Sequence, residues 1–316
     1  MKLKALFLTI VLGTGMPQVY ALECSNEGIW VQILGSGGPE LLDNRSANSY
    51  LVWRNGKARI LVDIGSGSAL HFYHSGAQLS QLDSILLTNL HVDHGADLPA
   101  LINADDSGHR ASPLPIYGPA GNKFMPSTVS FVRALFDQKR GAFRHLGSFL
   151  SPLGKQTYKL QPRDIVAKIK KRGTQVNLTP VKRIPVFSRN DVTVVAIPVV
   201  NNKTPTLAYR VTIGDKDIAF ASDITRHTGN LDRLAKDVDM LVIGHVTPVS
   251  SDGQSLSPYI TPSVIGRIAY RANTKQLLLV QRSRATIGKE KQSLDAIKAK
   301  YAGLISFAND MDCFQP

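Results

Sequence analysis

The sequence predicts an α/β fold: two packed β-sheets with helices on their outer faces, in one domain. Three observations predict it. Short aliphatic or β-branched runs alternate with glycine-rich turns, helical stretches follow these runs, and the whole order occurs twice along the chain. With 316 residues, 43% hydrophobic and 19% charged, the chain can bury a sizeable core and is not a disordered tail.

The first half opens with WVQIL, the turn GSGGP, NSYLVW, the turn NGK, RILVD and IGSGS, which together read as a meander of strands. A helix is expected near Ser68 to Gly76, then the apolar strand SILLT ending at Thr88. The second half repeats the rhythm with VTVVAIPVV, TLAYRVTIG and DIAFASD. A helix near Asn230 to Lys236, the strand DMLVIG, a helix near Pro262 to Ala272 and the strand QLLLVQ complete it. Between the halves, Lys123 to Arg189 holds fifteen Lys or Arg against two acids, Asp137 and Asp164. Its excess of +13 equals the formal charge of the whole chain, 37 − 24 = +13, so the basicity is local. We read this stretch as a basic insertion, densest at Lys168, Lys170, Lys171 and Arg172. Those four side chains are candidates to gather an anionic substrate or a polyanion, against the plainer reading of a merely solvated surface.

The first residues read as an export address. Lys2 and Lys4 precede the apolar run Ala5 to Leu12, and Val19-Tyr20-Ala21 has the small-x-small form of a cleavage site. Residues 1–21 are thus expected to be a signal peptide, leaving 22–316 as one domain, periplasmic or secreted, with no membrane-spanning segment. Two cysteines exclude a zinc finger, an iron–sulfur protein and a disulfide-dense scaffold. In an oxidising compartment Cys24 and Cys313 can pair and staple the chain ends.

The sharpest chemical signal is LTNLHVDHGADLPAL, Leu87 to Leu101. An apolar strand ends, and the next turn presents His91, Asp93 and His94 before a helix begins. Two imidazoles and a carboxylate this close at a strand end can converge on a metal ion. No P-loop Gly-Lys-Ser/Thr, complete dinucleotide fingerprint or nucleophile elbow is present.

The Leu87–Leu101 segment resembles the His-x-His-x-Asp-His signature of the metallo-β-lactamase superfamily, with Asn89 at the first His. The resemblance extends over roughly Gly28 to Ala285 and is strongest to the ribonuclease Z and arylsulfatase-like branches. LGSGGP and ARILVDIGSG resemble their glycine turns; IAFASDI resembles the strand whose terminal aspartate, here Asp223, bridges two metals. The resemblance implies a four-layer αββα sandwich. It also implies that Asn201, or its neighbour Asn202, and Gln281 stand at two further histidine positions, and Tyr259 at another.

Asn89, His91 and Asn201 would form one metal position, and Asp93, His94 and Gln281 the other. Amide oxygens are poorer zinc ligands than imidazole. The expectation is therefore one divalent ion, zinc, held by Asp93, His94 and Asp223, with His91 lining the pocket. Asp93 and a strand-end histidine, His245, are the candidate catalytic groups. The function so implied is an exported, metal-dependent hydrolase of an anionic ester, a phosphodiester or sulfate ester. The alternative is a protein that kept the fold, lost catalysis and binds an anionic ligand. Nucleic acid is a third and weaker partner class.

Overall fold

A computed structural model describes residues 24–40, 43–105, 110–167, 171–172, 175–176, 181–249 and 257–316. The expected signal peptide, Lys168 and Lys170 lie outside the described residues, and of Lys171 and Arg172 only the backbone is described.

The first sheet contains β1 (Ile29–Gly35), β2 (Ser49–Arg54), β3 (Lys57–Val62), β4 (Ser84–Leu86), β5 (Leu114–Pro119) and β6 (Leu160–Ile165). A two-strand ribbon follows, β7 (Lys171–Arg172) with β8 (Gln175–Val176). The second sheet contains β9 (Ile184–Arg189), β10 (Val192–Asn201), β11 (Thr204–Ile213), β12 (Lys216–Ala221), β13 (Met240–Gly244), β14 (Gln276–Val280) and β15 (Leu304–Phe307). Finally β16 (Cys313–Phe314) returns to the first sheet beside β1. The strand orders are β16-β1-β2-β3-β4-β5-β6 and β15-β14-β13-β12-β11-β10-β9. Each sheet runs antiparallel through its early hairpins and turns parallel at β3–β4 and at β12–β13. The repeated rhythm of the sequence is therefore a repeated sheet plan.

Alternation along the strands builds three apolar layers. On β1 and β2, Trp30, Leu34, Leu51 and Trp53 face outward into a core shared with Phe72, Leu98 and Val132. Their neighbours Val31, Ile33, Tyr50 and Val52 face inward and meet Val194, Tyr209, Phe220 and Leu278 of the second sheet. The outer face of the second sheet packs Ala219, Leu241 and Leu277 on Leu231, Leu234, Ile265 and Ile268. Helices α1 (Ser68–His74), α2 (Val92–Gly95), α3 (Leu98–Ala104) and α4 (Thr128–Phe136) accompany the first sheet. Helices α5 (Asn230–Leu234), α6 (Pro262–Ala272) and α7 (Glu290–Lys298) cover the second. The result is the expected αββα sandwich.

The turn chemistry follows the residue types. Asn55 and Gly56, between β2 and β3, both take positive φ, 48° and 70°, as a tight two-residue hairpin requires. Cys24 is disulfide-bonded to Cys313, with Cα atoms 5.4 Å apart, which ties the segment before β1 to the last strand. The basic stretch 123–189 differs from its reading as an insertion. It contributes α4, edge strands β6 and β9, and the core residues Val132, Phe136, Phe149 and Tyr158. Of its described cations, Arg133, Arg163 and Arg189 sit on exposed faces of α4, β6 and β9, and charge counts alone cannot separate that from an appended segment. Among the described residues no helix is long and apolar enough to cross a membrane.

Candidate active site

The site lies at the carboxyl ends of strands from both sheets, where three residues turn the chain with left-handed backbone. Asp63 follows β3 at φ 57°, Asp223 follows β12 at 52°, and Gln281 follows β14 at 51°. Non-glycine residues adopt this region at a steric cost that the surrounding contacts must offset. Gly65 lets the first-sheet loops close: a Cβ there would fall 2.3 Å from the carbonyl oxygen of Asp93.

The Thr88–His94 turn is anchored on buried Asp63. Thr88 donates its backbone N–H and its hydroxyl to Asp63, both at 2.7 Å, and His94 Nδ1 lies 2.8 Å from Asp63 Oδ2. His94 Nε2 then faces two more carboxylates, Asp223 Oδ2 at 3.2 Å and Asp93 Oδ2 at 3.5 Å. Burial alone would push the imidazole towards its neutral form, but the charges of Asp63, Asp93 and Asp223 outweigh it and raise its pKa well above the usual histidine range. Burial opposes ionisation of Asp223 too. The His94 charge, with hydrogen bonds from His91, His94 and Gln281, overcomes this and holds the carboxyl far below the usual carboxylate range.

Asp223 is ringed by nitrogen. Gln281 Nε2 donates to Oδ1 at 2.6 Å, Asn89 Nδ2 to Oδ2 at 3.1 Å and Asn201 Nδ2 to Oδ2 at 3.5 Å. His91 Nδ1 approaches Oδ2 at 3.4 Å, while its Nε2 meets Thr204 Oγ1 at 2.9 Å. Partners fix the amide orientations. Asn89 Oδ1 accepts the His91 backbone N–H at 2.9 Å, which leaves its NH2 for the carboxylate. A flipped Gln281 would set two oxygens 2.6 Å apart. Asp93 is treated alike: Asn48 Nδ2 lies 3.1 Å from its Oδ2 and 3.3 Å from His94 Nε2, with Asn48 Oδ1 held by the Tyr50 hydroxyl at 2.8 Å.

This donor set does not fit the pair of ions that the family resemblance implies. A bridging carboxylate offers its lone pairs to metal, whereas both Asp223 oxygens here accept N–H groups. Asp93, His94 and Asp223, the residues expected to hold one ion, do converge, with His94 Nε2 3.2 Å from Asp223 Oδ2 and 3.5 Å from Asp93 Oδ2. Among the described residues no group of three or more His, Cys, Asp or Glu side chains is disposed to hold a metal ion.

The remaining expectations fall in different places. Asn201, not Asn202, is the buried residue at the site; Asn202 is exposed in the β10–β11 turn. Tyr259 feels the site, its hydroxyl pushed up to about 12 by burial and by the charges of Asp223 and Asp93. His245 does not serve as a catalytic group. It is fully buried, its Nε2 2.9 Å from Ser293 of α7 and its ring against Phe307, so no substrate can reach it. Asn48 and the anchoring role of Asp63 escaped sequence reading. An Asp at a strand end two residues before a glycine, in RILVDIG, is the signal that would have found the second.

A profile of the metallo-beta-lactamase superfamily matches residues 42–183. Ribonuclease Z of Methanosarcina acetivorans is 32% identical over 93 residues, 29% of this chain and 30% of that protein. The chain thus spans under a third of the first curated relatives it matches. Ribonuclease Z of Mycobacterium bovis is 29% identical over 221 residues, 67% of this chain and 68% of that protein. The short form of human tRNase Z superposes with a TM-score of 0.64 at 16% identity, over 90% of this chain and 98% of that one. Two sheets of one plan, strand-end loops meeting at Asp223, and these matches agree: residues 42–183 match the metallo-beta-lactamase superfamily, the chain is similar in sequence to ribonuclease Z proteins, and its fold is the one tRNase Z shares.

Proposed function

We propose that this protein binds an anionic, phosphate-bearing ligand without hydrolysing it: a member of a hydrolase family whose metal centre has been replaced by hydrogen bonds. One observation carries the reading: amide N–H groups occupy both oxygens of Asp223, the carboxylate that would have to bridge the ions. Hydrolysis in this fold depends on a metal that lowers the pKa of bound water and polarises the ester. His94 is bonded on one side to Asp63 and faces Asp223 and Asp93 on the other, and those charges raise its pKa well above the usual histidine range.

The ligand class rests on two supports. The formal charge of the chain is +13, and its relatives are named for ribonucleic acid cleavage. The cluster itself cannot be where an anion sits, because Asp63, Asp93 and Asp223 outnumber the one buried imidazolium. Attraction must come from cationic surface elsewhere.

Metal content and turnover of bis(p-nitrophenyl) phosphate, measured with and without added zinc, test the reading. The expected result is no retained ion and no zinc-dependent turnover. A stoichiometric ion together with turnover abolished by Asp223→Ala overturns it. That outcome would establish the second reading, a one-ion hydrolase of anionic esters. It is favoured by the aim of His94 Nε2 at two carboxylate oxygens, where an ion replacing the proton would find ligands.

A further inference from the structure

We infer that the groove between α5, α6 and the segment entering β9 is a binding site for the phosphate groups of a polyphosphate or phosphodiester chain. The groove encloses about 530 Å³ and is lined by Lys182, Arg183, Asp232, Arg233, Lys236 and Arg271. All five cations are exposed, and they face a single carboxylate. That carboxylate is already engaged: Asp232 Oδ1 lies 2.6 Å from His227 Nε2, and its Oδ2 only 3.9 Å from Arg271. Two further acids lie nearby: Asp217, which attracts Arg183 but is itself paired with Arg210 at 2.7 Å, and Asp237, which touches Lys236 at 3.2 Å with both side chains more than half exposed, a contact worth little. No hydrogen bond or ion pair to Lys182 occurs among the described residues, and Arg233 bonds only neutral oxygens.

Two of the five cations, Arg183 and Arg233, are held in shape. Arg183 Nη2 donates to the carbonyl of Arg233 at 2.5 Å, joining the β9 entry to α5, and Arg233 Nη2 is steadied by Asn230 Oδ1 at 3.1 Å. An array of five guanidinium and ammonium groups whose neighbouring acids are already engaged or exposed suits tetrahedral oxyanions, which accept several N–H bonds at once. An isolated solvated charge run would not be tied to helix carbonyls in this way.

The groove stands apart from the Asp223 cluster. Strands β12, β13 and β14 are parallel, and Asp223 and Gln281 follow their carboxyl ends. Helices α5 and α6 return to the opposite edge, where Asp237 N bonds Ala272 O at 2.7 Å just before β13 and β14 begin. Lys236 and Arg271 belong to that edge. An anion in the groove is thus spared the carboxylates of the site. This inference rests on the reading of the protein as a binder of phosphate-bearing ligands and supplies the surface that reading requires.

The test uses the full chain and fluorescence anisotropy. Labelled oligouridylate is the first probe, with inorganic tripolyphosphate as a competitor and, by calorimetry, as a ligand in its own right. Lys182→Glu/Lys236→Glu is compared with Lys57→Glu/Lys300→Glu, which changes net charge equally at exposed positions elsewhere. The expected result is binding that falls with salt and is weakened roughly tenfold or more by the groove pair but little by the control pair. Displacement by tripolyphosphate would assign polyphosphate as a source, and binding of oligouridylate alone a nucleic-acid strand; both support the groove. Equal losses in the two double variants, or no binding of either probe, overturn it. Protection of Lys182 and Lys236 from acetylation by bound ligand is an independent readout. Cleavage of the oligouridylate that stops in Asp223→Ala would overturn the non-hydrolytic reading and leave the groove standing.

Discussion

The two sheets follow one plan, yet they bring different residues to the shared site. The first sheet contributes His91, Asp93 and His94 on a turn locked to Asp63. The second contributes Asp223 with Asn201 and Gln281, where the family resemblance places histidines. Thr88, His94 and Asp63 hold one another within the first sheet, so their own hydrogen bonds maintain them. Asn201 and Gln281 reach the site only through Asp223 and their immediate neighbours, so without metal any side chain able to satisfy that carboxylate suffices. A ligand set and the fold that displays it can thus change separately.

The largest effect should come from breaking the anchored half. Asp63→Ala removes three bonds at once and leaves His94 beside Asp93 and Asp223 without its main partner. Loss of one partner of a buried charge pair costs about 3–5 kcal/mol, so urea unfolding should show a loss of that size. A loss under ~1 kcal/mol would mean that the turn is held by packing and that the contrast between the halves is misdrawn.

Next comes acid sensitivity, which belongs to the second half. His245 follows β13 but is turned onto α7, where burial and then the Arg282 charge push its pKa down to about 4. A histidine depressed below its unfolded value of about 6.5 contributes stability that is complete above that pH and is lost as pH falls towards 4. The loss should be on the order of 3 kcal/mol over that window. His245→Gln should flatten the profile there. An unchanged slope would mean that the ring already titrates as in water.

Much of this was legible in the sequence. Aliphatic runs punctuated by glycine-rich turns pointed to both sheets, and α6 spans Pro262–Ala272 as expected. The His91, Asp93 and His94 turn followed from a strand end, and its meeting with Asp223 from the family resemblance. What failed was direction: placement at a strand end put His245 in the pocket, whereas the rotation of its side chain is set by α7 and Phe307, which no local pattern records. The orientation of an amide is equally invisible, since Asn89 turns its N–H or its oxygen inward according to which neighbour claims the other end.

Restoring histidine at the three amide positions around Asp223 tests whether the amides are the cause. Wild-type Tm should not respond to zinc, whereas Asn89→His/Asn201→His/Gln281→His should be stabilised by about 2.7 kcal/mol when free zinc is a hundredfold above its Kd. A zinc response in the wild type, or none in the triple variant, would separate metal loss from the amide replacements.

The smallest effects should rank the amides by their hold on Asp223. Gln281 bonds Oδ1 alone at 2.6 Å, Asn89 shares Oδ2 at 3.1 Å, and Asn201 reaches the same oxygen at 3.5 Å while also meeting Thr206 at 3.2 Å. A hydrogen bond to a charged acceptor contributes about 1.5–3 kcal/mol when well formed. Gln281→Ala should therefore lie in that range, Asn89→Ala near its lower end, and Asn201→Ala below ~1 kcal/mol by urea unfolding. The order matters more than the sizes, because an oxygen already facing several nitrogens loses little when the most distant one leaves. If Asn201→Ala proved the costliest of the three, the carboxylate would be held chiefly from the β10 side, and the amide ring around Asp223 would not be what stands in for metal.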